Sequence, residues 1–448
     1  MPALRIYRTV ITVLAAIAIT ACGGGGGSSD TQSTPMYYLS GTIIGLLGNS
    51  GLVLTTNNMT ASIAGNKGSF QFGALAAGTN YNIVVQESPP GMVCWIKGGS
   101  GTLTAHTDNI LVTCGNTLGG TIDLYQTPSG IGVTGLVITN EVNGDSYTFT
   151  SDATSFTMPQ PLSYAVNYAL TVTTQPPGLD CSVINGSGPM PPNHDVVVSV
   201  LCQPWFSSPA GVALDLNGDI YVADTLHSAI KKITVSTGKV TTLGSGFNQP
   251  YGVAVDASGN VYVADTYNQA VKEIAAGSGT ITTLASGFNF LCGIAVDTSG
   301  NVYVTDNINN EVAEIVAGSG SIIKLSSGFN NPCGIAVDSS DNLYVADSKN
   351  NAVKKIAAGT HVITTLASGL SPRGLAIDAL DNVYVTDDAS KSVKMISAGS
   401  ATVTTVASGF NLPFGIAVDA SDNVYIADSV DNLVKEILKE TGVTIVLP

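Results

Sequence analysis

The sequence predicts an all-β protein in which two small β-sandwich modules precede a six-bladed β-propeller. Three observations predict it. One phrase, Gly-apolar-Ala-apolar-Asp followed by Tyr-Val-Ala-Asp, recurs six times through the C-terminal half at a period of about 41 residues. Its landmark glycines are Gly211, Gly252, Gly293, Gly334, Gly374 and Gly415. Upstream, two segments share a Pro-Pro-Gly, Cys, Gly-Ser-Gly, Cys order. The composition completes the case: 50 Gly, only 11% charged residues, and no long stretch of helical period.

At 448 residues the chain exceeds one ordinary domain. Its net charge is −15, and the only arginines are Arg5, Arg8 and Arg373. An acidic surface without a clustered basic footprint excludes nucleic acid as a partner.

Residues 1–21 read as an export signal. Arg5 and Arg8 precede an apolar run over residues 10–19, too short to span a bilayer. The following Ile19-Thr20-Ala21-Cys22 resembles the lipobox of bacterial lipoproteins. That resemblance implies lipidation at Cys22, with the membrane engaged only through that anchor, and Gly23 after it implies the outer membrane or cell surface. An ordinary cleavable signal, with Cys22 incidental, is the plainer alternative. Residues 22–36, rich in Gly, Ser and Thr, form a flexible tether with a reach of roughly 20 Å.

Two modules follow, over residues 37–115 and 116–203. Each opens on an alternating segment, Gly41-Thr42-Ile43-Ile44 or Gly120-Thr121-Ile122-Asp123, and carries an aromatic strand near Phe70 or Tyr147. Alternation between turn signals is the pattern of small β-sandwiches. With Cys22 set aside, six cysteines remain, an even number in an exported chain. Cys94 is expected to bond Cys114, and Cys181 to bond Cys202, each pair closing the last strands of its module for about 3 kcal/mol. The modules resemble immunoglobulin-like or prealbumin-like stalks of bacterial surface proteins, which implies that they are spacers.

Residues 204–448 carry the repeats. In the second, two short β runs flank Asp256-Ala257-Ser258-Gly259-Asn260, a hairpin turn, and two more strands follow. Four antiparallel strands per repeat make one propeller blade. These residues resemble the NHL repeat family in six copies, which implies a six-bladed propeller. The aspartates of each Tyr-Val-Ala-Asp run, Asp224 through Asp428, occur in every blade, as do Asp215 through Asp419 at the hairpins. A single-ligand site should break the symmetry, so these serve turn backbone.

The site should lie where the repeats differ. The residues before the landmark glycines are Ala210, Tyr251, Cys292, Cys333, Arg373 and Phe414, on the face that also receives the loops bearing His227, Tyr267, Asn309, Lys349 and Asp388. Two aromatics can stack, and the arginine can pair with a carboxylate or phosphate. Simple drift of exposed positions is the competing reading. Cys292 and Cys333 match in adjacent blades; a disulfide between sheets about 10 Å apart is borderline.

Relatives of this architecture that are enzymes, namely amidating lyases, streptogramin lyases and lactonases, rely on histidines and acids converging at the channel. Here the propeller holds only His227 and His361, the latter on the opposite face. Other NHL propellers are recognition domains. The expectation is therefore a non-enzymatic envelope lipoprotein that binds a protein, peptide or glycan, with no catalytic residues, no metal and no cofactor. A metal-assisted lyase or hydrolase using His227 with Asp388 is the alternative, and a structural envelope component the third.

Overall fold

The computed structural model describes residues 34–46, 51–65, 67–191 and 194–447. The expected signal segment, Cys22 and nearly all of the tether lie outside the described residues. Everything described is strand, turn or loop, apart from two single-turn 3₁₀ segments at Thr266–Asn268 and Ser348–Asn350.

Each module pairs two sheets around one core. In the first, strands run in the order Ser69–Gln71, Leu39–Ile44, Thr107–Gly115, Val93–Lys97, and face a sheet of Met59–Ile63, Leu52–Thr56 and Val84–Glu87. Alternate residues of Leu39–Ile44 point inward, so Leu39 and Ile43 join Leu54, Phe70 and Val112 in the core. The second module repeats the plan around Leu118, Phe149, Phe156 and Val200. Both aromatic segments fall at sheet edges, with Phe70 and Phe149 buried. In both modules the first and last long strands lie parallel. Cys94 sits directly across from Cys114 and Cys181 across from Cys202, and both pairs are bonded with Cα atoms 4.0 Å apart.

Six four-stranded antiparallel sheets follow in chain order, each built from consecutive strands. Their first strands are Pro209–Leu214, Gly252–Val255, Leu291–Val296, Pro332–Val337, Pro372–Ile377 and Pro413–Val418. The second strands are buried on both faces, because each sheet is covered by a neighbour on either side. Val261 and Val263 pack back onto Tyr221, while Tyr262 and Ala264 pack forward onto Ile294 and Val304.

The landmark glycines are a packing requirement. A Cβ on Gly211 would sit 2.6 Å from the carbonyl oxygen of Tyr251 in the next sheet, and one on Gly334 would meet that of Arg373. Hydrogen is the only side chain that lets these strands approach so closely. The series closes on itself: a Cβ on Gly415 would strike the Ala210 carbonyl, Ser208 N–H donates to Asn432 Oδ1 at 2.7 Å, and Ser429 Oγ donates to the Pro209 carbonyl. Among the described residues no strand is exchanged across this junction. Phe206, ahead of the first sheet, fills it against Tyr425 and Val434 of the last.

The hairpin aspartates serve turns. Asp256 Oδ1 accepts from the backbone N–H groups of Ser258 and Asn260, and Oδ2 from the Tyr262 hydroxyl at 3.0 Å. The aspartates ending the second strands are buried and tie the preceding loop. Asp265 accepts from Asn248 N–H at 2.7 Å, from Asn268 Nδ2 at 2.8 Å and from Lys272 Nζ at 2.6 Å.

Candidate functional site

The first strands converge on an axis whose mouth is lined by five of the six residues before the landmark glycines, Tyr251, Cys292, Cys333, Arg373 and Phe414. The cavity beneath them holds about 50 Å³, room for a water or two and no more. So small a cavity leaves the open mouth above it as the candidate site.

Aromatic contact runs around half of the rim. Tyr251 packs on Phe414 at 5.6 Å and on Phe290 at 5.1 Å, and Phe290 reaches Tyr267 at 5.9 Å. Tyr251 and Phe414 belong to the second and sixth sheets. They meet because the first sheet presents only Ala210 between them. Phe290 was not anticipated, yet a signal existed. Its corner is occupied by Ser208, Gln249 and Asn331 in other repeats, all with positive φ, and Phe290 holds φ +67° there. A bulky aromatic in that region costs on the order of 1–3 kcal/mol, which its contacts with Tyr251 and Tyr267 help to offset.

The guanidinium of Arg373 lies 5.8 Å over the Phe414 ring and donates from Nη2 to Asp388 Oδ2 at 3.1 Å. Lys391 Nζ takes the other oxygen at 3.0 Å. Burial alone would raise the Asp388 carboxyl, but Lys391 and Arg373 hold it below the usual carboxylate range, so it is ionised. Asp388 also breaks the repeat. At its position Thr225, Thr266, Asn307, Ser348 and Ser429 each donate to a carbonyl of the next sheet. A carboxylate cannot, and Asp388 turns to Arg373 instead. Burial, then the Tyr267 phenol, push the Tyr251 hydroxyl above its ordinary value, with Arg373 opposing them, so Tyr251 stays a neutral donor.

Two threonines replace the repeat's alanine and steady this rim. Thr386 Oγ1 donates to the Phe414 carbonyl at 2.7 Å and accepts from Gly374 N–H; Thr305 does the same for Cys333 and Gly293.

Cys292 and Cys333 are bonded, with Cα atoms 4.9 Å apart. The 10 Å spacing of stacked sheets does not apply at the axis, where glycine lets neighbouring strands close in. Both residues are buried, so as ligand candidates they offer backbone more than side chain. His227 stands away from the ring of six. Its Nδ1 meets Asp224 Oδ2 at 2.7 Å, in the place where Asn268, Asn309 and Asn350 bind their own aspartates. It fills a structural slot of the repeat, and Asp388 is committed to Arg373 and Lys391. Lys349 and Tyr267 occupy equivalent exposed loop positions on the same face.

Among the described residues no three His, Cys, Asp or Glu side chains are placed to hold a metal ion. The donors at the mouth, a disulfide, an arginine, phenyl rings and one doubly paired carboxylate, do not fit a metal centre.

The sequence model of the virginiamycin B lyase family matches residues 193–436, more than half of the chain. No curated protein matches. Similar solved structures include the nidogen/laminin complex (20% identity over 51% of this chain and 91% of that one, TM-score 0.47). A catalytically inactive His-to-Ala variant of virginiamycin B lyase from Staphylococcus aureus with quinupristin is 18% identical over 54% of this chain and 84% of that one, TM-score 0.44. A gluconolactonase from Xanthomonas campestris is 16% identical over 50% and 84%, TM-score 0.46. The family match overturns the expectation that this chain is not an enzyme. That expectation rested on counting histidines, and a neutral tyrosine and an arginine can also move protons and stabilise charge.

Proposed function

The chain belongs to the virginiamycin B lyase family, and from that premise we propose that it is a lyase acting at the mouth of a six-bladed, NHL-type propeller. The family match carries this reading. It spans the sheets that build the mouth, and the rim is where otherwise uniform repeats diverge.

In an elimination, a proton passes from carbon to a base, here solvent water at the open mouth, the C–H electron pair forms a double bond, and a carbon–oxygen bond breaks with the pair on oxygen. A group that protonates that oxygen regains its proton from solvent. Arg373 suits the oxygen on which charge develops, and Tyr251, neutral and half-buried, suits the proton that oxygen takes up. Phe290, Tyr267 and Phe414 hold the apolar body of the substrate against the rim. No step uses a metal, since the donor set fits none.

We also propose that the chain is exported and anchored through Cys22, with two immunoglobulin-like or prealbumin-like modules as spacers. Three disulfides support an oxidising compartment.

The test is incubation of the purified chain with virginiamycin B and a panel of ester-bearing ring compounds, read by mass spectrometry. Elimination opens a ring without change of mass, whereas hydrolysis adds one water. An isomeric product supports the lyase; a hydrated product or none opposes it.

A further inference from the structure

We infer that the ligand of this mouth carries one anionic group, a carboxylate or phosphate, on an apolar body; the inference rests on the reading of the mouth as the ligand site. A guanidinium has five N–H donors. Among the described residues Arg373 gives one of them to protein, to Asp388, and its side chain remains 39% exposed. Asp388 is shared with Lys391, so two cations face one carboxylate and a positive charge stays uncompensated. Lys349 is exposed on the neighbouring sheet of the same face. In a chain of net charge −15 such a sector does not follow from composition.

The opposite side of the mouth has the contrary character. Tyr251, Phe290 and Tyr267 form one aromatic cluster, and Leu226 and Val430, at loop positions equivalent to Tyr267, are both more than half exposed. The face is thus divided, with the apolar part on the sixth, first, second and third sheets and the cationic part on the fourth and fifth. Arg373 stands at the boundary, its guanidinium 5.8 Å over the Phe414 ring. A planar fork with free donors beside a phenyl ring matches a carboxylate or phosphate attached to an apolar group, and a neutral ligand would leave those donors unmatched.

Calorimetric titration of the full chain with phenylbutyrate, phenylbutyl phosphate and neutral phenylbutyramide tests this. The anions are expected to bind at least about tenfold more tightly than the amide, and to weaken with added salt while the amide does not. Arg373→Met removes the difference and spares amide binding, whereas Arg373→Lys keeps part of it. Which anion binds better tells carboxylate from phosphate. Equal affinities, no binding by any of the three, or a difference that survives Arg373→Met overturns the inference. Turnover of neutral esters with equal affinities would sink this inference and leave the lyase standing; selective anion binding without turnover would do the reverse.

Discussion

The ring of Tyr251 lies 5.6 Å from that of Phe414, inclined by 69°, although a whole sheet stands between them in the circle. The intervening sheet contributes Ala210, too small to part them. One small residue thereby joins two distant repeats into a single aromatic wall. A double-mutant cycle of Tyr251→Leu and Phe414→Leu should give a coupling of about 0.5–1.5 kcal/mol in unfolding free energy. Strict additivity would mean that the rings do not support each other.

Gly211 admits the carbonyl of Tyr251 to 2.6 Å from where a Cβ would stand. Gly211→Ala must push two first strands apart, at a cost of about 2 kcal/mol or more. The melting temperature should fall by several degrees, and an unchanged value would show that the axis tolerates a methyl group.

In five sheets a lysine pairs with the buried aspartate, as Lys272 does with Asp265 at 2.6 Å while lying over Phe247. The third sheet keeps Asp306 and Phe288 but has Ala313 in the lysine position, and Asp306 makes do with Asn289 and Asn309. Lys272→Ala should cost about 1.5–3 kcal/mol by removing a charge-assisted hydrogen bond, while Asp265 keeps Asn248 and Asn268 as Asp306 keeps Asn289 and Asn309. Ala313→Lys should raise the melting temperature by completing the missing pair. A drop with Ala313→Lys would mean that the third sheet has closed over the lysine's place.

Burial would raise the carboxyl of Asp256, but the Asn260 amide, the turn N–H groups and the Tyr262 hydroxyl hold it below its ordinary value, and Asp338 behaves alike. A folded pKa below the unfolded one contributes stability that is present above about pH 4 and lost as pH falls through the folded value. Melting temperature should therefore be nearly level from pH 7 to 5 and decline below about 4. Asp256→Ser should be less stable at pH 7 and lose less on acidification; parallel losses in both proteins would remove Asp256 from the account.

Much of this was legible in the residues. The repeat's glycines and hairpin aspartates announce four-stranded sheets because each has one structural task, and Cys94, Cys114, Cys181 and Cys202 sit at the spacing of neighbouring strands. Tyr251, Arg373 and Phe414 stood out because they break a repeated pattern. What stayed hidden depends on contacts between repeats. No spacing tells that Ala210 lets Tyr251 touch Phe414, or that glycine brings Cys292 within bonding distance of Cys333. Nor does spacing tell that His227 takes the place of an asparagine beside Asp224. Phe290 was missed although it replaces a polar corner residue, since only its backbone angle reveals the strain.

The most direct measurement is the elimination rate of the purified chain beside its Arg373→Met and Tyr251→Phe variants, on a substrate that the wild type converts. The account predicts an isomeric product from the wild type and a fall in kcat of about a hundredfold or more in each variant, with unchanged melting temperatures. Equal rates in all three proteins, or a product formed only when a divalent metal is added, would contradict it.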